Sequence, residues 1–383
     1  MPPHSYIRLC VFLCIFFVFS PVLAETPSGH SKISIGFFSP LSGSLSTYGK
    51  EMLNGCRMAV NEINNRGNVK LSLLIRDSKG DPEISSQIAS EFSENKEVIA
   101  VVGGFKSDCN MVAAPIFDKA GILMISPTES HSSFTSIGEN IFRANATQIN
   151  EADFNAQWAK ELGFESYISI YIDDSWGNNA NDLFVISSRE KNIVSKAEFP
   201  IGLDFEKLET ILDYIQDQKI DFIYSILFHL QACQLYKSLK DRGLSIPILT
   251  ASSLMSEKIT ANCESCSPNI MGPSSFPKSK KNDPLTQSFL KRYLANFEEI
   301  PSLYAALAYD SMYLVYIAIT NSWPERNVLK TGMEKISNYQ GITGLFTFKK
   351  NRSPGKRLHR MTFKNSQWTL WHPEIPGENI SIP

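Results

Sequence analysis

The thirty residues from Val101 to Ser130, VVGGFKSDCNMVAAPIFDKAGILMISPTES, constrain this chain more than any other stretch. An apolar run from Val98 to Val102 ends in Gly103-Gly104, followed by a polar loop and a short helical pattern. A second apolar run, Ile122 to Ile125, then ends in Ser126-Pro127 and further small polar residues. The order is strand, loop, helix, strand, loop. In an open parallel sheet both loops lie at the carboxyl edge, where such folds bind ligands. Each loop offers hydroxyls and backbone N–H groups just ahead of a helix, a setting that favours anions. The stretch points to a small-ligand site.

The same alternation runs along the chain. Ser31–Ser39 reads as a strand, with Ile33, Ile35 and Phe37 on one face, and a Gly/Ser-rich loop leads to a helix over Lys50–Asn65. Met52, Leu53, Cys56, Ala59, Val60 and Ile63 keep helical spacing there, and Gly67 is the stop. Leu71–Ile75 is the next strand, and Asp81-Pro82 opens a helix running to Asn95 as cap and first-turn proline. The pattern pauses at Phe142–Asn145 and restarts: helix Asn150–Leu162, strand Tyr167–Ile172, and a polar loop Asp173–Gly177 in which Asp173 and Asp174 cap the following turn. Strands at Val194–Phe199, Phe222–Leu227 and Ile246–Leu249 then alternate with helices at Phe205–Gln218 and Leu230–Arg242. From Ile270 a short strand reaches Phe276, and the lysine-rich segment Lys278–Lys281 is a solvated loop. Helices over Pro284–Asn296, Ser302–Asn321 and Glu325–Ser337 follow, then Leu345–Phe348, a turn at Ser353-Pro354-Gly355 and a hairpin over Leu358–Trp371.

This is an α/β chain with two doubly wound parallel-sheet lobes. The three late helices serve as cover for the first sheet, so the chain crosses between lobes three times, near 143–147, 272–276 and 338–344. The resulting partition is 31–144 plus 273–338 for lobe 1, and 145–272 plus 339–383 for lobe 2.

Residues 1–24 form an export signal, with Arg8 at its start, an apolar core over Leu9–Phe19 and a cleavage pattern Val22-Leu23-Ala24 before Glu25. The core is shorter than the about 20 residues a membrane span takes. Without the leader, 36 basic and 39 acidic residues leave a net charge of −3, and no basic patch marks a nucleic-acid partner. No later stretch is read as apolar enough to cross a membrane, so the product is expected to be soluble and exported. Cysteines 56, 109, 233, 263 and 266 remain. An odd number leaves at least one thiol unpaired or paired to another chain. Cys56 and Cys233 fall on apolar helical stripes as core residues, whereas Cys263 and Cys266 either close a local disulfide or stay free. Histidines 30, 131, 229, 359 and 372 show no metal spacing, and no cofactor is expected. An enzyme is the competing class, but GxSxG, HExxH, Walker and GxGxxG signatures are missing from the sequence. The Gly103-Gly104 pair lacks dinucleotide spacing.

The segments FFSPLSGSLSTYGKEMLNGCRMAVNEINNRG (37–67), GGFKSD (103–108), GILMISPTES (121–130), FRANATQINEA (142–152), YIDDSWG (171–177), IDFIYS (220–225), YAALAYDSM (304–312) and GITGLFTF (341–348) occur in this order. Together they resemble a type I periplasmic binding protein of the branched-chain amino acid and amide group (Leu/Ile/Val-binding protein-like) serving ABC transporters. The resemblance runs from Ile33 to Trp371 and implies a periplasmic binding protein-like I fold: two lobes, three crossover strands, and hinge closure over a ligand. Residue by residue, it makes Ser107 the serine that grips the ligand's carboxylate, with Thr128 and Ser130 completing the grip on ammonium and carboxylate. Tyr48 and Phe105 become first-lobe contacts, Trp176 and Phe228 the aromatic cover from the second lobe, and Tyr304 a further wall.

Two departures matter. Where amino-acid binders of this family place an acid after the strand ending at Leu249, this chain has Thr250-Ala251-Ser252-Ser253, and Ser252 carries no charge. Glu129 stands where the family prefers a small residue; Glu129 or Asp108 either pairs an ammonium or repels a carboxylate. A plainer reading has Ser107, Thr128 and Ser130 as helix caps, Trp176 as an exposed loop ring and Phe228 as core. The expectation is an exported monomer that captures a small carboxylate-bearing ligand, an amino acid or related compound, and delivers it to ABC permease subunits. The alternative is a ligand-sensing module reporting to a receptor or regulator.

Overall fold

A computed structural model describes residues 33–66, 69–260, 270–278, 283–322, 326–348 and 350–372. The expected export signal, His30, the stop at Gly67, Cys263 and Cys266, Lys280 and Lys281, and the helix start at Glu325 lie outside them. The first lobe follows the sequence grammar: β1 (Ile33–Ser39), α1 (Ser46–Arg66), β2 (Leu71–Asp77), α2 (Pro82–Glu94), β3 (Val98–Gly103), α3 (Ser107–Lys119), β4 (Leu123–Ser126) and β5 (Ile141–Arg143). Asp81 caps α2 by accepting from Ile84 N–H at 3.0 Å, with Pro82 in the first turn. β5 is the pause at Phe142 seen from inside the fold; three residues are too few to show alternation. The strands pair in parallel in the order β2-β1-β3-β4-β5. That order reverses direction between β1 and β3, so the loops after them open a crevice at the carboxyl edge.

The second lobe holds α4 (Gln148–Glu161), β6 (Ser166–Ile172), α5 (Ser175–Glu190), β7 (Val194–Ile201), α6 (Leu208–Asp217), β8 (Phe222–Ile226), α7 (His229–Asp241), β9 (Ile248–Thr250), α8 (Glu257–Thr260) and β10 (Ile270–Ser274). Its parallel part runs β7-β6-β8-β9-β10, the same order as the first sheet. The loop expected through Gly177 is shorter in the structure, because Asp174 accepts from Gly177 N–H at 2.9 Å and starts α5 at Ser175.

After β10 come α9 (Pro284–Phe297), α10 (Leu303–Asn321), α11 (Arg326–Glu334), the hairpin β11 (Tyr339–Gly341) and β12 (Gly344–Phe346), then β13 (His359–Lys364) and β14 (Gln367–Leu370). α10 lies along α1 so closely that a Cβ on Gly55 would sit 2.1 Å from the Ala305 carbonyl oxygen. Among the described residues α10 is long and apolar enough to span a membrane, which corrects the expectation that no stretch after the leader is. It is instead a core helix of the first lobe, with nearly every residue buried. Hairpin β11–β12, placed with the second lobe by the expected partition, is tied to α10: buried Asp310 accepts from Ile342 and Thr343 N–H, both at 2.8 Å. β13 pairs antiparallel with β10 and β14 with β13, closing the second sheet at its edge. The chain passes between the two sheets after β5, between β10 and α9, and between β12 and β13.

Cys56 is a buried free thiol, as is Cys109. Cys233, expected in the core, is half-buried, packs against the core and is disulfide-bonded.

Candidate ligand-binding site

The loop after β3 is shaped by Gly104, whose φ of +79° is a left-handed conformation and whose Cβ would meet Asn110 Oδ1 at 1.6 Å. This turn brings Phe105 to the cleft and starts α3 at Ser107. The loop after β4 folds against it. Ser126 and Thr128 hydroxyls each donate to the Gly104 carbonyl at 3.3 Å, and Asn145 donates to the Thr128 carbonyl at 3.0 Å.

Glu129 lies between the two loops and is 1% exposed. Its Oε1 accepts from Ser107 Oγ at 2.8 Å, Ser130 N–H at 2.9 Å and His131 N–H at 2.7 Å. Its Oε2 accepts from Asn110 Nδ2 at 2.7 Å. All four partners are donors, which suits an ionised, acceptor-only carboxylate. The charge of Glu129 also acts on Arg143, which is fully buried; burial pulls this guanidinium down to about 10, and Glu129 opposes the fall. So the Ser107 hydroxyl does not cap α3; it goes to Glu129.

Across the cleft, Ser252 follows β9. Its N–H and hydroxyl donate to Glu151 of α4 at 2.9 and 2.7 Å, and its carbonyl accepts from Tyr304 of α10 at 3.1 Å. Burial pushes the Glu151 carboxyl up, eased by these two Ser252 bonds. Trp176, in the first turn of α5, stacks on Phe228 with ring centroids 5.2 Å apart and planes at 18°. Tyr48 stacks on Phe105 at 4.4 Å and meets Tyr304 edge-on at 5.1 Å. Such ring pairs add about 0.5–1.5 kcal/mol beyond burial.

The lobes are in contact. Tyr48 Oη accepts from His229 N–H at 3.0 Å, and Ser256 Oγ donates to Glu51 at 2.7 Å. Ser132 donates to Asn179 from both N–H and hydroxyl, and Lys106 Nζ lies 3.5 Å from Asp108 and 3.7 Å from Asp174. The space left between the lobes is about 40 Å³. At about 10–15 Å³ per water-sized sphere that holds a few waters, so a larger ligand requires the lobes to part.

Of the expected contacts, Phe105, Ser107, Thr128, Ser130, Trp176, Phe228, Ser252 and Tyr304 line this cavity together. Tyr48 and Glu129 stand one layer behind, against Phe105 and Ser107. Lys106, Asn145, Ser253, Leu303 and Leu307 also line it and escaped the sequence reading. Lys106 was legible as the neighbour of Phe105. Asn110 was too, one helical turn beyond Ser107, whereas nothing local marked Glu151 as Ser252's partner. Among the described residues no group of histidines, cysteines and acids is placed to hold a metal.

A profile of the periplasmic binding protein family matches residues 32–366. The chain belongs to that family. It is 26% identical over 247 residues to the Leu/Ile/Val-binding protein BraC3 of Rhizobium johnstonii, covering 62% of this chain and 66% of that one, just under two thirds of the relative's length. Its fold matches the branched-chain amino acid transporter substrate binding protein LivJ of Streptococcus pneumoniae, solved with isoleucine, at a TM-score of 0.82 and 23% identity over 88% of this chain and 97% of that one. A solute binding protein of an R. palustris ABC transporter, solved with benzoate, matches at 0.81 and 16% identity over 88% and 95%. Members of this type I family are binding proteins and not enzymes, and the paired sheets of this chain are its two lobes.

Proposed function

We propose that this periplasmic binding protein is exported, captures a small ligand between its lobes as a monomer, and delivers it to ABC permease subunits. One observation carries the reading: a single cavity is lined by Phe105, Ser107 and Ser130 of one lobe and by Trp176, Phe228 and Ser252 of the other. Names of relatives and ligands of fold neighbours support a ligand in the size range of an amino acid or a single-ring compound. The carboxylate that the sequence expectation sets at Ser107 and Ser130 is not part of this reading, because both residues already donate to Glu129.

Capture begins on the first lobe, whose loops are held by their own hydrogen bonds. Closure then adds Trp176 and Phe228, contacts the open form lacks, and only such differential contacts shift the population toward the closed state. The test is a thermal-shift screen of amino acids, amides and aromatic acids, followed by calorimetry. At least one compound should raise Tm and bind once per chain without turnover, and Trp176→Ala should weaken it tenfold or more. A screen without a single stabilising compound, or turnover of one, overturns the reading. Loss of uptake of that compound in cells lacking this protein, with the permease intact, tests delivery.

A further inference from the structure

Resting on the reading of the cleft as a ligand site, we infer that Glu129 is a built-in occupant of the first-lobe anion grip, and that the ligand presents an uncharged hydrogen-bonding group there. Ser107 Oγ, Ser130 N–H, His131 N–H and Asn110 Nδ2 converge within 2.7–2.9 Å on one carboxylate, and that carboxylate belongs to the chain itself. A ligand carboxylate arriving at Ser107 and Ser130 would find those donors spent and a second negative charge directly behind them. Glu129 is 1% exposed and does not line the cavity, so it is not placed to pair a ligand cation either.

The charge on the cavity wall is likewise met inside the protein, and the buried Arg143 guanidinium, whose three nitrogens have no hydrogen-bond partner, does not line the cavity. Lys106, the one charged residue lining the cavity among the described residues, lies near both Asp108 and Asp174. Glu151 takes two bonds from Ser252. A charged ligand would lose its hydration on closure and gain no free countercharge, a cost an uncharged ligand does not bear. Phe105, Trp176, Phe228 and Tyr304 then supply an aromatic box for an apolar body.

The test uses the purified protein and three probes built on one ring: benzamide, benzoate and benzylammonium. The wild type should bind benzamide at least tenfold tighter than either ion; equal or tighter binding of benzoate or benzylammonium overturns the uncharged class. In Glu129→Ala, sodium formate should refill the vacated donors and raise Tm above its value in sodium chloride of equal ionic strength, with no such rise in the wild type. No formate response overturns internal occupancy, whether or not a ring compound binds. If all three probes and every compound of the thermal-shift screen fail on the wild type while formate rescue holds, the cleft reading fails and the placement of Glu129 stands. Should Glu129→Ala not fold, Glu129→Gln keeps the volume without the charge and should narrow the benzamide-to-benzoate ratio at least tenfold; an unchanged ratio overturns the inference.

Discussion

Glu129 and Glu151 are both buried carboxylates beside the cleft, one in each lobe, and each is held by a serine hydroxyl and a backbone N–H. They differ in where their partners come from. Glu129 gathers four donors from α3 and the loop after β4, all within the first lobe, and feels the charge of Arg143. Among the described residues Glu151 accepts from Ser252 alone, and the Ser252 carbonyl takes a hydrogen bond from Tyr304 of the opposite lobe. One carboxylate thus fixes a wall built within its own lobe. The other is coupled through Ser252 to a contact between the lobes. A closing binder needs both: a preformed surface to capture ligand, and a second surface whose bonds depend on closure.

The comparison breaks most directly through stability. Glu129→Ala strands four donors and the Arg143 charge, so it should cost about 3–5 kcal/mol in urea unfolding. Glu151→Ala should cost about 1–3 kcal/mol; an equal or larger loss there would erase the distinction. A third carboxylate, Glu51, bridges α1 to Ser256, and burial raises it from the ordinary 4.5 to about 7. Its folded form holds the proton more tightly than the unfolded chain does. Its favourable contribution is therefore complete below about pH 4.5 and is lost as pH rises toward 7, an effect on the order of 3 kcal/mol. Glu51→Gln should flatten stability across that window; an identical pH profile in the variant refutes this. Tyr304→Phe removes the bond to the Ser252 carbonyl, about 0.5–1.5 kcal/mol, and should weaken ligand affinity severalfold while leaving unfolding of the first lobe nearly unchanged. Smallest of all, Lys106→Met loses the long Asp174 contact between lobes, under about 1 kcal/mol, and its effect on affinity should shrink further in high salt.

Local chemistry made most of the fold readable. The strand runs at Ile33, Val98 and Ile122, the Asp81-Pro82 cap and the glycine pair before Phe105 each act within a few residues of themselves, and each produced its expected element. Short elements were harder: β5 has three residues, and Ser175 to Gly177 read as loop until the Asp174 cap showed them as helix. The first-lobe site positions lay in plain view because loops after parallel strands must share an edge. Their partners did not. Ser107 and Ser130 were legible as an anion grip, and Glu129 as an oddity within it, but its oxygens had first to be placed on those donors.

The sequence by itself determined the two-lobed α/β plan, the family, and the loops that meet at the cleft, because periodicity, caps and turns are written in neighbouring residues. Only the tertiary structure decided which carboxylate fills the grip, that Glu151 reaches Ser252 from 101 residues away, and that Cys233 is bonded as well as packed. Those outcomes depend on pairing across distant segments, where chain separation leaves no periodic trace and only the packed fold brings donor to acceptor.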